Sequence, residues 1–562
     1  MTITYSPLSF NISSLLTFLH IRIMPIIRIP RVTVGISTLI AILGLIVPLL
    51  TLHLGFYPWK DEEYQLMCIA DYRSTPLAAL TMYIGHLWSI IVGNDNIMSF
   101  RYLAYICNAL SILLPCCYFY SKTHQSLAAT VIFFILQLCM SLFGLFSYEW
   151  DTTTHLFLTV CCLIAVSYLD RPTVAKISLL AVFSSCAIFA RIPNAAILPV
   201  ALILISVSRR TVRRIACDFT VYMIVALCTS AILIFLIWGD FQSFIASWSS
   251  DNYITGHSSL TDVLFLQVWT RYPISLRYFY MWGGVFAAIC YLNKIIITRF
   301  WKYTIIVIIS FSIIALWLVV RVTSDDTNSY MIDLFYFSTA LIPAIAIYRH
   351  SEIRQSVLLC LTLIAFALVS YVGSDCGLYK ILCMPLIPIA LADLAKYRLR
   401  SVNEFYFSIA VVVVICYLPL RLKNPWTREW MNRYPATYTI TKLQGIRHSD
   451  KEVSRRTKIY HLGKEIEADN KKILFLGNDR YMFDYLLGHS KDNIDRYPVQ
   501  RYHDDNSFEG IECQLYDMAD RFDFIYLGYE FKDSDRQKIS NKLAENGFSL
   551  YLSDEYYTIW QR

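Results

Sequence analysis

Residues 55–94 of the chain are "GFYPWKDEEYQLMCIADYRSTPLAALTMYIGHLWSIIVGN". It follows the apolar run "TVGISTLIAILGLIVPLLTLHLGF", residues 33–56, which is long enough to cross a bilayer as a helix. Three consecutive carboxylates, Asp61, Glu62 and Glu63, then stand where the chain leaves the hydrocarbon. Ionisable groups within reach of a membrane are costly and usually mark a site. The sequence therefore predicts a functional loop directly after the first span.

The composition separates two regions of the chain. Of its 562 residues, 56% are apolar and only 16% are charged, whereas a soluble domain has about 25% charged residues. The last 142 residues contain 23 Lys and Arg and 23 Asp and Glu, so the net charge of +7 belongs to the first 420. We expect a polytopic α-helical membrane domain followed by a small soluble α/β domain.

The span pattern and the charges of the connections predict a topology. Thirteen apolar runs of span length lie near residues 33–55, 98–120, 125–146, 153–169, 174–190, 193–208, 216–238, 278–293, 303–320, 329–348, 356–372, 379–395 and 403–420. With the N-terminus inside, cytoplasmic connections such as "SRRTVRR" and "AKYRLR" are basic. The opposite connections, such as "SYEWDT" and "RVTSDDTNSY", are acidic or mixed. This alternation follows the excess of Lys and Arg on the cytoplasmic side of membrane proteins.

With the N-terminus in the cytoplasm, an odd number of spans places the C-terminal domain on the extracytoplasmic side of the membrane. The predicted organisation is a cytoplasmic segment (1–32), a membrane domain (33–420) with a first external loop (56–97) and a long external loop (239–277), and an extracytoplasmic α/β domain (421–562). No cleavable signal is predicted, so the first span is expected to be retained. We expect a multi-pass protein of the plasma (inner) membrane, in contact with membrane lipids and with no nucleic acid as partner.

A helix that follows the acidic cluster in the first external loop is predicted to lie on the membrane surface. Pro76 stands at its start, where proline is well tolerated, and apolar residues recur at helical spacing up to Val92. Counting this segment as a span would invert every later loop and remove the charge alternation. The interpretation as an interfacial helix therefore fits the topology better.

Charged residues gather at the predicted outer ends of spans. Beyond the carboxylates of the first loop, the candidates are Arg73, Glu149, Asp151, Arg191, Arg271 and Lys380. Carboxylates and cations on one face suit a reaction in which an anionic group is held while a base works beside it. Charges at helix ends that only solvate the interface are the simpler explanation for any one of these residues. No CxxC or HExxH spacing occurs, so neither a disulfide framework nor a structural metal is predicted.

The order of these elements resembles a known superfamily. A span, the element "KDEEYQL", a helix opening with Pro in "STPLAALTMYIGHLWSIIVGND" and a span opening "SFRYLAYICNAL" follow one another. This order is similar to that of the GT-C membrane glycosyltransferases, in the branch of the protein O-mannosyltransferases and the lipid A aminoarabinose transferase. The resemblance covers roughly residues 33–210. In the aminoarabinose transferases a Lys often precedes the helix-opening Pro and faces the donor phosphate, whereas this chain has Thr75 there, with Arg73 nearby.

The resemblance implies transfer of a sugar from a polyprenyl-phosphate carrier to an acceptor hydroxyl of a glycan, lipid or protein on the outer side. Asp61 aligns with the first acidic residue of the family motif and is the expected general base, in an inverting displacement. Glu149 and Asp151 are expected to orient the acceptor or a basic residue. Arg191, Arg271, Lys380 and Arg73 are expected to hold the phosphate. Glu62 is a candidate substrate contact and, with Glu63, an initiator of a helix.

Two other classes stay open from the sequence. A secondary transporter or lipid-linked sugar flippase would also have thirteen spans and charged residues near the membrane. A catalytically inactive scaffold is the third possibility. Against a transporter, the ionisable residues cluster at one membrane face and not at mid-span, where transporter sites usually lie. The pattern requires no cofactor and leaves a divalent metal ion open.

Overall fold

Apolar helices make up the first part of the chain. The protein is seen in a computed structural model that describes residues 31–50, 52–53, 62–93, 95–142, 147–208, 211–250, 436–476, 480–489, 521–528, 533–554 and 557–562, with isolated positions between 358 and 392. The longer helices are α1 (Arg31–Leu49), α4 (Ile97–Thr123), α5 (Ser126–Leu142), α6 (Trp150–Asp170), α7 (Val174–Ala190), α8 (Ile197–Ser208) and α9 (Val212–Trp238). Shorter ones are α2 (Glu62–Ala70), α3 (Ala79–Val92) and α10 (Phe241–Ser250).

These helices correspond to the first seven predicted spans and to the two expected helices of the first external loop. By length and composition α4, α6 and α9 could each cross a membrane. The predicted spans from residue 278 to 348 and from 403 to 420 lie outside the described residues, as does most of the chain at 356–395. The total of thirteen spans therefore stays a prediction. The predicted long external loop begins differently, because its first residues form α10.

Local signals in the sequence fix where these helices begin and end. Asn96 caps the start of α4, where its Oδ1 accepts a hydrogen bond of 2.6 Å from the amide of Met98. Thr173 caps α7 in the same way through the amide of Lys176. Helix α3 ends at Gly93, which has a left-handed φ of 71° and a conformation that glycine adopts without steric cost.

The helices pack into one bundle with two distinct ends. Helix α1 packs against α5, α6 packs between α4 and α7, and α7 packs against α9. At one end, Lys122 forms an ion pair of 3.3 Å with Asp170, and Lys176 Nζ donates to the carbonyl of Ser167 at 2.7 Å. The other end contains α2, α3 and the start of α6.

The C-terminal part is a small α/β domain, as the sequence predicted. Its helices are α11 (Asp450–Ala468), α12 (Arg480–Leu487) and α13 (Asp533–Glu545), and its strands are β1 (Ala436–Thr437), β2 (Arg447–His448), β3 (Ile473–Leu476), β4 (Phe524–Gly528), β5 (Ser549–Ser553) and β6 (Tyr557–Gln561). Strands β1 and β2 form an antiparallel pair, and the other four form one sheet in the order β3-β4-β6-β5. Among the described strands of this sheet, β3 and β4 pair in parallel and the other pairs are antiparallel.

This domain and the first external loop share one hydrophobic core. Helix α12 packs directly on α2. Buried side chains of α2, such as Leu66 and Ile69, belong to the same cluster as Phe483 of α12 and Phe475 of β3. The C-terminal domain therefore lies at the end of the bundle that contains α2 and α3.

Candidate functional site

A buried ion pair organises the first external loop. Arg101 of α4 is completely buried and Glu62 is 2% exposed. The Nε and Nη2 atoms of Arg101 donate to the two carboxylate oxygens of Glu62, each at 2.7 Å. Such a bidentate arrangement is among the strongest and most directional ion pairs in proteins. In the sequence, Arg101 is distinguished only as the one charge inside an otherwise apolar predicted span, and no role is predicted for it.

The same guanidinium fixes a second point of the loop. Nη1 of Arg101 donates to the carbonyl oxygen of Leu52 at 2.6 Å. Leu52 and Glu62 lie on either side of the segment 54–61, so one side chain holds both ends of the segment that includes Asp61. Asp61 itself, the predicted base, lies outside the described residues, as do Arg271 and Lys380. The substrate contact predicted for Glu62 stays a prediction, and both of its carboxylate oxygens are engaged by Arg101.

The first turn of α3 joins three parts of the bundle. Thr81 Oγ1 donates to the carbonyl of Ala190 at 2.9 Å and is hydrogen-bonded to Thr153 Oγ1. The hydroxyl of Tyr148 donates to the carbonyl of Thr81 at 2.7 Å. Burial raises the pKa of Tyr148, which keeps this hydroxyl protonated and able to donate. Thr81 thus connects the predicted interfacial helix to the start of α6 and the end of α7.

A glycine permits this close packing of α3. A Cβ atom on Gly85 would lie 2.9 Å from the Tyr148 ring and 2.9 Å from the Ile69 side chain. A larger residue at this position would push α3 away from both α2 and the start of α6.

Three predicted site residues lie on the elements that Thr81 joins. Glu149 directly precedes α6 and Asp151 lies in its first turn, while Arg191 directly follows α7. Their exposed fractions are 4%, 3% and 7%. Asn194 Nδ2 bridges the same two elements, because it donates to Thr154 Oγ1 at 3.2 Å and to the carbonyl of Ala187 at 2.7 Å. The structure therefore brings these three charged residues to one end of the bundle.

Burial distinguishes these residues from ordinary charges at helix ends. A charge withdrawn from water is costly unless it is paired or hydrogen-bonded, so charges that only solvate an interface stay exposed. Part of the arrangement is structural, because the amide of Glu149 donates to Thr152 Oγ1 at 3.2 Å and the amide of Thr152 donates back to the Glu149 carbonyl at 2.9 Å. These bonds set the first turn of α6 and with it the position of Asp151.

Arg73 occupies a different position from Arg191. It lies in a short 3-10 turn before α3 and is exposed. Its Nε donates to the carbonyl of Ile237 at 3.2 Å, and its own carbonyl accepts a bond of 2.8 Å from Trp238 Nε1, at the end of α9. Its Cζ lies 5.6 Å from the ring centre of Tyr72. The two terminal nitrogens of Arg73 have no hydrogen-bond partner in the described part of the chain, so they are available to an anion.

Metal ligation was left open by the sequence. Within the described ranges, no group of three or more His, Cys, Asp and Glu side chains is arranged to hold a metal ion. The acidic cluster of the first loop is described only from Glu62 onward, so a divalent metal ion at this cluster stays an open alternative.

The described residues form a bundle of apolar helices, and three of these helices are long and apolar enough to cross a membrane. A small α/β domain packs on the end of the bundle that contains the buried side chains of Glu149, Asp151 and Arg191.

Comparisons with known proteins add resemblances in structure and none in sequence. No protein-family model and no curated protein matches the chain. The oligosaccharyltransferase of Archaeoglobus fulgidus, tethered to an acceptor peptide, is similar with a TM-score of 0.47 and 11% identity over 94% of this chain and 74% of that one. ArnT from Cupriavidus metallidurans, bound to undecaprenyl phosphate, gives 0.40 and 12% over 94% and 97%. At these scores and identities the likeness carries no argument about this chain.

Proposed function

We propose that this protein is a membrane glycosyltransferase that moves a sugar from a polyprenyl-phosphate carrier to an acceptor hydroxyl. One observation carries the proposal. Glu149, Asp151 and Arg191 are all buried at the end of the bundle where Arg101 holds both flanks of the segment 54–61. That end also bears the C-terminal domain, on the predicted outer side of the membrane.

The reaction that suits these groups is a direct displacement at the anomeric carbon. Asp61 accepts the proton of the acceptor hydroxyl as its oxygen forms a bond to the anomeric carbon. The bond from that carbon to the carrier phosphate oxygen breaks, and its electron pair leaves with the phosphate. Because one carboxylate base and no protein nucleophile take part, the configuration at the anomeric carbon is inverted. A retaining enzyme would need a second carboxylate as nucleophile.

Cations have a clear role in this displacement. The carrier phosphate gains negative charge as it leaves, so positive side chains placed around it stabilise the transition state more than the ground state. Arg191, Arg271 and Lys380 are the proposed phosphate ligands, with Arg73 as a further one. The exposed position of Arg73 at the end of α9 and its available terminal nitrogens support a contact with a phosphate that arrives along the membrane surface.

Glu149 and Asp151 are proposed to orient the acceptor or one of the cations. Glu149 directly precedes α6 and Asp151 lies in its first turn. Hydrogen bonds to Thr152 and Thr153 fix this turn. A carboxylate on such a rigid turn loses little conformational entropy when it binds a hydroxyl. The acceptor itself, a glycan, a lipid or a protein, is left to experiment.

The test is a direct assay of the full-length protein in lipid nanodiscs. Radiolabelled polyprenyl-phosphate sugars are incubated with a panel of acceptor hydroxyl compounds, and release of polyprenyl phosphate is measured together with the labelled product. Transfer that depends on both substrates supports the proposal. A parallel proteoliposome assay covers the alternative class: movement of the intact donor across the bilayer without bond cleavage would replace the transferase by a flippase.

A further inference from the structure

The side chain of Asn96 connects the membrane domain to the C-terminal domain. Its Oδ1 caps α4, as described above, and its Nδ2 donates to the carbonyls of Thr441 and Gln444, each at 2.9 Å. Asn96 is only 8% exposed, so these bonds lie within the interface. One amide therefore sets the start of α4, the helix of Arg101, and binds the turn 441–444 of the C-terminal domain.

Polar contacts beside Asn96 reinforce the same junction. Lys442 Nζ lies 3.5 Å from the carboxylate of Asp95 and donates to the carbonyl of Tyr485 at 2.6 Å. The hydroxyl of Tyr485 in turn donates to the carbonyl of Asp95. Burial lowers the pKa of Lys442, and the neighbouring Asp95 acts in the opposite direction by favouring its charged form.

The junction reaches the other end of the loop as well. The amide of Arg447 donates to the carbonyl of His53 at 2.8 Å. Gly445 approaches α4 so closely that a Cβ atom would lie 2.9 Å from the Met98 side chain, and its φ of +90° is one that other residues rarely adopt. The C-terminal domain therefore binds backbone groups on both sides of the segment 54–61 and of α2.

Helix α2 completes the arrangement. It is nine residues long, too short to be stable alone in water, and α12 covers it by packing Met482, Phe483 and Leu486 into the cluster of Leu66 and Met67. Removing α12 would expose this apolar surface to water, at a cost of about 25 cal/mol per Å². The position of α2 thus depends on the C-terminal domain.

We infer that the C-terminal domain positions the first external loop. Asn96 is the residue through which this domain fixes the position of the loop relative to the start of α4. This inference rests on the proposed function for its catalytic meaning, because the loop includes Asp61. Arg101 holds the loop from the membrane side, and the turn 441–447 with α12 holds it from the outer side. Asn96 is a positioning residue and contacts no substrate in this scheme.

The decisive variant is Asn96→Asp. An aspartate still caps α4, but a carboxylate oxygen replaces the amide group that faces the carbonyls of Thr441 and Gln444. Repulsion between these oxygens opens the junction while the helix cap is kept. Asn96→Ser is the second variant, since it also keeps a cap and removes the donors without adding charge. Asn470→Asp is the matched control, because Asn470 is exposed on the C-terminal domain.

Two measurements on the full-length protein in nanodiscs separate the possible outcomes. Hydrogen exchange of residues 62–70 and 441–447 is expected to become about tenfold faster or more in Asn96→Asp, since an unsatisfied buried group costs about 1–3 kcal/mol. Turnover should fall by a similar factor, while the apparent KM for the polyprenyl-phosphate sugar changes less than about twofold. Asn470→Asp should change neither quantity.

The outcomes that overturn the inference are distinct from those that overturn the function. Unchanged exchange in both Asn96 variants would show that the domain does not hold the loop. Faster exchange with normal turnover would show that the loop's position does not matter for the reaction. If the wild-type protein transfers no sugar at all, the proposed function fails, and the exchange experiment still decides whether the C-terminal domain holds the loop.

Discussion

At the level of single residues, Arg101 links Glu62 and Leu52, two parts of the chain that flank the segment 54–61. Its side chain is buried in an apolar helix and donates hydrogen bonds to the Glu62 carboxylate and to the Leu52 carbonyl. A buried ion pair is weak support for stability as a pair, yet removal of one partner leaves an uncompensated charge. The pair is therefore better understood as a device that fixes the geometry of the loop.

We predict that Arg101→Met destabilises the protein by about 3–5 kcal/mol, because Glu62 is left buried without its partner. The double variant Glu62→Gln with Arg101→Met should lose less than the sum of the two single changes, because no charge is then stranded. Thermal unfolding of purified protein, followed by the loss of a monodisperse peak in size-exclusion chromatography, measures both.

The control for this cycle is Lys122→Met. Lys122 and Asp170 form a partly exposed pair at the other end of the bundle, and such pairs contribute about 0–1 kcal/mol. Equal destabilisation by Arg101→Met and Lys122→Met would contradict the role assigned to Arg101.

The proposed reaction uses Asp61 as its base. Asp61→Asn keeps the shape of the side chain and removes its basicity, so we expect normal folding and insertion with turnover reduced by about 10²–10⁴. Glu63→Gln, two residues along the chain, is the matched control and should be far milder. Near-normal turnover of Asp61→Asn would eliminate Asp61 as the base, even if sugar transfer itself were established.

The cations make a separate prediction about binding. Arg191→Ala and Lys380→Ala should each weaken the apparent affinity for the polyprenyl-phosphate sugar, because each is proposed to contact the carrier phosphate. Donor titrations at saturating acceptor would measure this. If neither substitution changes the apparent donor affinity, the phosphate lies elsewhere.

At the scale of elements, a histidine connects two helices of the C-terminal domain. His489 follows α12; its Nδ1 lies 2.5 Å from Asp484 Oδ1, and its Nε2 is hydrogen-bonded to Glu467 of α11. Burial lowers the pKa of His489, but the hydrogen bonds and charges of Asp484 and Glu467 outweigh burial and raise it above the ordinary value. The protonated ring can donate to both carboxylates at once.

This arrangement predicts a pH dependence of stability. Because the folded pKa is raised, the stabilisation is fully present below the unfolded value of about 6.5 and is lost as pH rises through the folded pKa. The apparent Tm of the wild type should therefore decrease between pH 6 and pH 8, and His489→Gln should make this decrease smaller. His461→Gln, at an exposed position of α11, should leave it unchanged. An identical decrease in His489→Gln and wild type would rule this contribution out.

Local signals allowed much of the element pattern to be predicted from the sequence. Apolar runs predicted the helices up to residue 238. The helix predicted to start at Pro76 begins with the 3-10 turn Pro76–Ala78, continues as α3 and ends at Gly93. The sequence predicted only a loop between spans where α10 lies, although Asp240 caps this helix through the amide and hydroxyl of Ser243. These bonds also lower the pKa of Asp240.

The candidate site was harder to predict than the helices. The placement of Glu149, Asp151 and Arg191 at one end followed from charge alternation, because span ends on the same side of a membrane must meet at one face. The partners of Glu62 and Asn96 could not be predicted. They depend on contacts between residues 39 and 348 positions apart, and no local pattern encodes such contacts.

At the scale of the whole molecule, the two ends of the bundle differ in character. One end has the C-terminal domain, the buried carboxylates and Arg191. The other has Lys122, Lys176 and the exposed start of α9, which contains Arg213 and Arg214. The structure establishes that these groups lie at opposite ends of the helices. Which end faces the cytoplasm is a prediction from the excess of basic residues.

The predicted orientation can be tested by cysteine labelling. A cysteine introduced at Asn470, on the C-terminal domain, should react with a membrane-impermeant maleimide in intact cells, and one at Thr211 should react only after permeabilisation. Both positions are exposed, so a difference between them reports sidedness and not burial, once the labelling of the parent chain is subtracted. Labelling of the Thr211 position in intact cells would show that the topology is the reverse of the predicted one. A lipid-linked sugar would then have to be used on the cytoplasmic face, where the acceptors differ, and the proposed reaction would need a different acceptor class.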